Sequence, residues 1–203
     1  MAPSTPTAPT TSKPARVRPR GAARREALLD AVLLIVAEAG TDAVTHRRVA
    51  EVAELPLAST TYWFKSKEHL LTAALELAAE RDIARLHDDV ESAPASADPV
   101  VLAIDAILTP TEPVRTSLIT TYALLLEAAR RPALREVAEA WTQAYLDTVG
   151  GLLKQAGSRQ PCPDAELLLA AADGLLITQL ATGHSADLQP SLVRLGRALV
   201  GTS

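Results

Sequence analysis

Between residues 45 and 64 the chain reads Thr45-His46-Arg47-Arg48-Val49-Ala50-Glu51-Val52-Ala53-Glu54-Leu55-Pro56-Leu57-Ala58-Ser59-Thr60-Thr61-Tyr62-Trp63-Phe64. This stretch gathers hydroxyls, an imidazole, guanidinium groups and an indole, but no nucleophile with a base beside it. The chemistry open to such a set is non-covalent. Ser59, Thr61 and Tyr62 can donate hydrogen bonds to phosphate oxygens or base edges, and Leu57 and Ala58 can touch thymine methyl groups. Thr45, His46 and Arg47 stand where a helix begins, and there backbone amides and the helix dipole favour an anion. Lys67 stands at the same kind of place one helix further on.

Such side chains act on a duplex only if a rigid frame holds them together. Thr45 can cap a short helix reaching about Ala53, with Val44 and Val49 as the flanking hydrophobic pair. Pro56 ends the turn after it, and a second short helix is predicted over 57–64. Ala50 is small enough for two helices to touch there, and Val49, Leu55 and Phe64 can anchor the pair from beneath. Upstream, Leu28, Val32, Ile35 and Ala39 recur at helical spacing over 22–39, and Gly40 supplies a stop. Downstream, Ser66 caps a long helix over 67–90, with Glu68 well placed in its first turn. Proline and glycine then punctuate helices over 100–108, 114–130, 132–155, 164–182 and 190–200, with 157–163 read as a loop. The expectation is an all-α chain of about nine helices with no strand.

Composition agrees with this. Aromatic residues are only 3% of the chain while Ala and Leu abound, and both lose little freedom in a helix. The net charge of −4 hides an asymmetry, since residues 1–70 carry +3 and the remainder −7. A polyanion would therefore meet one part of the chain only. Residues 1–20 hold Pro3, Pro6, Pro9, Pro14 and Pro19 and have little to bury, so disorder is expected there. From Lys13 to Arg25 this arm is also basic, which fits a solvated tail as well as an arm tracking phosphates. Cys162 is the only cysteine, so no intramolecular disulfide can form. No uninterrupted apolar run approaches the roughly 18 residues of a membrane span, and the N-terminus lacks the apolar segment of a secretory signal. A cytoplasmic chain with no membrane partner is the expectation.

The first-helix pattern Leu29-Asp30-Ala31 through Ala37-Glu38-Ala39-Gly40 is followed by Thr45 and then Val49-Ala50. The segment closes on Phe64-Lys65-Ser66-Lys67-Glu68-His69-Leu70-Leu71. Together these resemble the N-terminal domain of the TetR/AcrR family of transcriptional regulators, over about Arg24 to Leu71. The resemblance implies a basic arm (1–20), a DNA-binding helix-turn-helix domain (21–82) and a helical ligand-binding and dimerisation domain (83–203). It implies DNA contacts at Thr45, His46, Arg47, Leu57, Ala58, Ser59, Thr61, Tyr62, Trp63 and Lys67. Trp63 fits packing over the domain equally well. Glu54 departs from the family's usual Gly at a turn position where a left-handed backbone is common, and Ala58 and Thr61 also depart from its usual residues.

In the C-terminal part, the 164–182 helix is apolar nearly all round, with Leu167, Leu168, Leu169, Leu175, Leu176, Ile177 and Leu180, so more than one of its faces must be covered. The resemblance implies that this helix and the last one pair with a second copy, forming a homodimer. It also implies a pocket for an unknown small-molecule effector. Tyr122, Glu127, Trp141, Tyr145 and Gln179 are its candidate linings, although each also fits ordinary packing or surface exposure. Nothing in the sequence points to an enzyme: there is no Gly-rich phosphate loop and no nucleophile elbow, and His46, His69, His87 and His184 are scattered. No metal site and no cofactor are expected, and Cys162 is read as lying in a loop without a nearby base. The reading that results is a ligand-responsive regulator, of repressor type, on a palindromic operator. The alternative is a helical protein-interaction module with a vestigial helix-turn-helix.

Overall fold

A computed structural model describes residues 20–108, 114–184 and 186–202. Among them the chain forms nine α-helices, one short 3-10 turn (Thr41–Ala43) and no strand. The helices are α1 (Arg20–Ala39), α2 (His46–Val52), α3 (Leu57–Trp63), α4 (Lys67–Glu91) and α5 (Pro99–Leu108), then α6 (Val114–Ala128), α7 (Pro132–Gln155), α8 (Pro161–Thr182) and α9 (Gln189–Thr202). The arm before residue 20 lies outside the described residues, as do Pro110 and Pro113.

Two apolar cores hold these helices. The first gathers Leu28, Val32 and Ile35 of α1, Val49 of α2, Phe64, and Leu70, Leu71 and Leu75 of α4. It continues without a break into Leu124 of α6 and Leu134 and Trp141 of α7. The second joins α5, α7, α8 and α9 around Ile104, Leu153, Leu168 and Leu192. The division expected between residues 82 and 83 falls inside α4, which runs from the helix-turn-helix into the larger helical part.

One sequence expectation needs correction. The segment read as a loop over 157–163 ends earlier, because α8 already begins at Pro161. Pro161 and Pro163 both sit in the first turn, where a missing amide hydrogen costs no intrahelical bond. Cys162 is therefore a helical residue, and it is exposed. By length and composition the same helix is apolar enough to cross a membrane, a test that core helices also meet, although no uninterrupted apolar run in it is that long. Asp173, Thr178 and Gln179 break the apolar run without making the helix polar. Only 17% of its most apolar 18-residue stretch is buried within the chain.

Helix α4 is fixed by two sets of polar bonds around the middle of its length. Arg81 bridges to α1 through Glu26 at 2.9 Å and Asp30 at 2.5 Å. One residue further on, Asp82 turns toward α7 and accepts from the Trp141 indole at 3.0 Å and the Tyr145 hydroxyl at 2.6 Å. Arg85 completes the cluster, bonding Asp82 at 2.7 Å, Asp89 at 2.8 Å and the Tyr145 oxygen at 2.8 Å. Each partly buried charge thus has an opposite charge and further hydrogen bonds, which is what desolvated ions require. Burial beside the Asp82 carboxylate drives the Tyr145 phenol well above its ordinary range, so it stays protonated and donates.

Removing that one donor tests the cluster. Tyr145→Phe keeps the ring but takes a bond from Asp82 and an acceptor from Arg85, so it should destabilise the chain by about 1–3 kcal/mol. Urea unfolding at fixed protein concentration measures this, and an unchanged midpoint would show that the cluster contributes nothing to stability.

Candidate nucleic-acid interface

The interface is built from α2, its turn and α3. Thr45 has extended backbone and its hydroxyl accepts from the Arg48 amide at 3.2 Å, which starts α2. At the other end, the Leu55 amide bonds the Ala50 carbonyl at 3.0 Å and the Glu54 amide bonds the Glu51 carbonyl at 3.2 Å. This pair of bonds is a Schellman ending, and it demands a left-handed residue between them. Glu54 is that residue, with φ of 52°, the single non-glycine with positive φ among the described residues. Ala50 is buried beneath the turn, Leu55 packs into the first core, and Phe64 closes α3 with only 1% of its surface exposed.

Helix α3 therefore has a fixed inner and outer side. Thr60 is fully buried and its hydroxyl donates back to the Leu57 carbonyl at 2.8 Å. Leu57, Ala58, Thr61 and Tyr62 form the outer side, with Leu57 49% and Tyr62 70% exposed. These four positions follow one face of a helix, since residues three and four apart lie together. Ser59 is half-buried at the edge of that face. Trp63 is half-buried as well, its ring edge lying 3.7 Å from where a side chain at Gly21 would begin, and it meets Tyr62 edge to face.

The flanking residues take distinct positions. The Arg47 side chain is 85% exposed and bonds Glu51 one turn later at 2.9 Å. His46 is turned the other way, its Nε2 meeting the Phe64 carbonyl at 3.0 Å, so it ties α2 to the end of α3. Lys67 donates to the Asp42 carbonyl at 3.2 Å, joining the start of α4 to the 3-10 turn. Ser66 caps α4 by accepting from the His69 amide at 3.1 Å. Arg25 sits over the Phe64 ring at 5.7 Å, a contact between a cation and an aromatic face that the sequence did not signal.

The five residues named as pocket linings fall in four separate places. Trp141 and Tyr145 both face Asp82 in the cluster on α4. Glu127 stands where α6 meets the 3-10 turn, accepting from Thr41 at 3.2 Å and from Arg131 at 2.7 Å. Those bonds hold its carboxyl below the ordinary range, the Arg131 hydrogen bond foremost. Gln179 is half-buried and donates to the Ala186 carbonyl beyond the end of α8. Tyr122 reaches from α6 to Asp173 of α8, donating at 3.0 Å. Asp173 was missed by the sequence reading, yet it had a signal: it is the one charged residue between Leu167 and Thr182.

A small three-helix unit that presents one helix outward, joined by a shared long helix to a larger helical part, defines a helix-turn-helix protein. Residues 95–202 match the family described as "Tetracyclin repressor-like, C-terminal domain". The chain belongs to this TetR family of transcriptional regulators. Over 58 residues it is 43% identical to the HTH-type transcriptional repressor KstR of Mycolicibacterium smegmatis, an alignment covering 29% of this chain and 28% of KstR. The chain thus matches little more than a quarter of that relative's length. Among solved structures, a TetR-family member from Streptomyces coelicolor A3 is 32% identical with a TM-score of 0.68, over 87% of this chain and 97% of that one. The multidrug binding protein EbrR complexed with ethidium is 33% identical with a TM-score of 0.64, over 87% and 98%. A transcriptional regulator from Rhodococcus sp. Rha1 shares the fold at 22% identity, with a TM-score of 0.77 over 87% and 96%.

The left-handed Glu54 gives a direct test of the turn. Glycine takes that conformation without the clash of a side chain, so Glu54→Gly should stabilise the chain by roughly 1 kcal/mol. A thermal or urea melt measures this, and a destabilised variant would contradict the turn geometry.

Proposed function

We propose that this chain is a cytoplasmic transcriptional repressor that binds a palindromic operator as a homodimer and responds to a small-molecule effector. In this reading residues 21–82 are the DNA-binding unit, residues 83–203 bind the effector and make the dimer, and the basic arm over 1–20 adds phosphate contacts. The observation that carries it is the outward face of α3, where exposed Leu57, Ala58, Thr61 and Tyr62 stand on a helix whose inner side is sealed in the core. An exposed hydroxyl, phenol and aliphatic groups on one helix are the set that reads base edges in a major groove. Arg47, Thr45 and Lys67 flank that face at positions suited to backbone phosphates, and Trp63, Ser59 and His46 support it from its edges.

Helix α8 supports the dimer. Leu167, Ala170, Gly174 and Ile177 recur at helical spacing and are all exposed, Leu167 at 57% and Ile177 at 48%. A row of this length with small residues at its centre suits close approach of a second helix, and burying it against a symmetry mate removes apolar surface from water. Helix α9, with half-buried Val193, Leu195, Leu199 and Val200, lies beside it. Two copies so joined carry two recognition helices, which matches an operator with twofold symmetry.

For the effector, the multidrug binding protein EbrR in its complex with ethidium supports a small-molecule ligand. Its route to DNA runs through α6. This helix bonds the Leu33 carbonyl of α1 through Thr120 at 3.2 Å and the 3-10 turn through Glu127. A ligand that favours one position of α6 thereby favours one position of the helix-turn-helix, and occupancy at either end biases the other.

Fluorescence anisotropy with DNA recovered from a random pool tests the docking. Arg47→Ala should weaken binding to all duplexes and lower the salt dependence by about one phosphate contact, whereas Tyr62→Ala should change the preferred sequence. Unchanged affinity and salt dependence in the Arg47 variant would overturn the proposed docking.

A further inference from the structure

Two partly buried carboxylates are met by arginine, Asp82 by Arg85 and Glu127 by Arg131, while the buried Asp164 takes the Ser158 hydroxyl. Asp173 is different. It is half-buried on α8, its bond is to the Tyr122 hydroxyl at 3.0 Å, and no cation faces it among the described residues. A carboxylate has room for about four donors, so one phenol leaves most of its capacity unused. Burial pushes its acid above the ordinary aspartate range, the direction taken by a negative charge that lacks a countercharge. The same surroundings drive the Tyr122 phenol above its own ordinary range.

The setting of this pair is apolar. Helices α6 and α8 both pack on α7 and have little direct packing on one another, so the Tyr122–Asp173 bond spans the space between them. On α6, Leu118 and Leu125 lie on the same face as Tyr122, at spacings of four and three residues. On α8, Leu169 and Leu176 flank Asp173 in the same way. All four leucines are half-buried, neither sealed in a core nor on the open surface. Aliphatic walls with one or two polar groups between them are the usual make-up of a small-molecule site. A lone acid in such walls selects charge, because a ligand cation supplies the partner that the fold withholds.

We propose that Asp173 and Tyr122, between these two leucine pairs, form a binding site for a lipophilic organic cation whose charge Asp173 neutralises. This deepens the effector reading above and rests on it for its regulatory meaning. The Tyr122 ring adds an aromatic face for the cation. Because α6 carries Tyr122 as well as Glu127, the site is also tied to the turn ahead of α2.

Calorimetric titration of the full chain with tetraphenylphosphonium, and with its anionic counterpart tetraphenylborate, separates charge selection from mere greasiness. The wild-type chain should bind the cation at least tenfold more tightly than the anion. Asp173→Asn should weaken cation binding at least tenfold and abolish the discrimination, while Asp173→Glu should keep it. Tyr122→Phe, which retains the carboxylate and frees it, should preserve cation binding, and it serves if the Asp173 variant fails to fold. Equal affinity of the wild type for both ions, no binding of the cation, or full cation affinity in Asp173→Asn would each overturn the proposal. DNA selection run on the same proteins keeps the two readings apart. A chain that selects palindromic DNA but ignores the cation defeats this site alone, and one that binds the cation but selects no DNA defeats the operator reading alone.

Discussion

The arrangement depends on how α4 is held. It is a single helix shared by the DNA-facing unit and the larger helical part, and at neighbouring residues it is tied in two directions. Arg81 reaches α1 through Glu26 and Asp30, while Asp82 reaches α7 through Trp141 and Tyr145. Apolar packing alone is non-directional and would tolerate sliding of α4 along its neighbours. Charged hydrogen bonds with fixed geometry do not, so the register of the two parts is set within about one helical turn. The first apolar core, which runs unbroken from α1 into α7, then stabilises the register that these bonds select.

Much of this was legible in the sequence, for physical reasons that can be named. Thr45 and Ser66 are side chains that compete well for orphan amides, and both cap the helices they precede. Gly40 and Pro56 stop and start helices because each restricts or frees the backbone in one known way. Glu54 was legible as a departure, and its left-handed backbone is a local demand of the turn that any residue there must meet. The start of α8 was not legible, since two prolines in a first turn look like a loop when no partner is seen. The roles of Trp141 and Tyr145 were hidden too. Their partner Asp82 lies some sixty residues away, and an aromatic residue with a polar tip suits a pocket and a buried carboxylate equally well.

Further polar bonds join α6 to the helix-turn-helix unit. Thr41 bonds Glu127 and the Leu33 carbonyl accepts from Thr120, while Lys67 ties the start of α4 to Asp42 in the turn after α1. In the proposed function this junction is where an effector signal passes, since a shift of α6 cannot occur without changing the Thr41 and Leu33 contacts. In the same proposed function the exposed row on α8 would have a complementary role, because covering it with a second copy would turn a small rotation in one subunit into a changed separation of two recognition helices.

The proposed function requires the outer face of α3 to enter a major groove twice per dimer. Dimethyl sulfate footprinting on a selected duplex reads guanine N7 in that groove directly. Two protected patches related by twofold symmetry are expected on one side of the DNA, with centres about one helical turn, roughly 34 Å, or a multiple of it apart. A single patch, or protection confined to the minor groove, would contradict it.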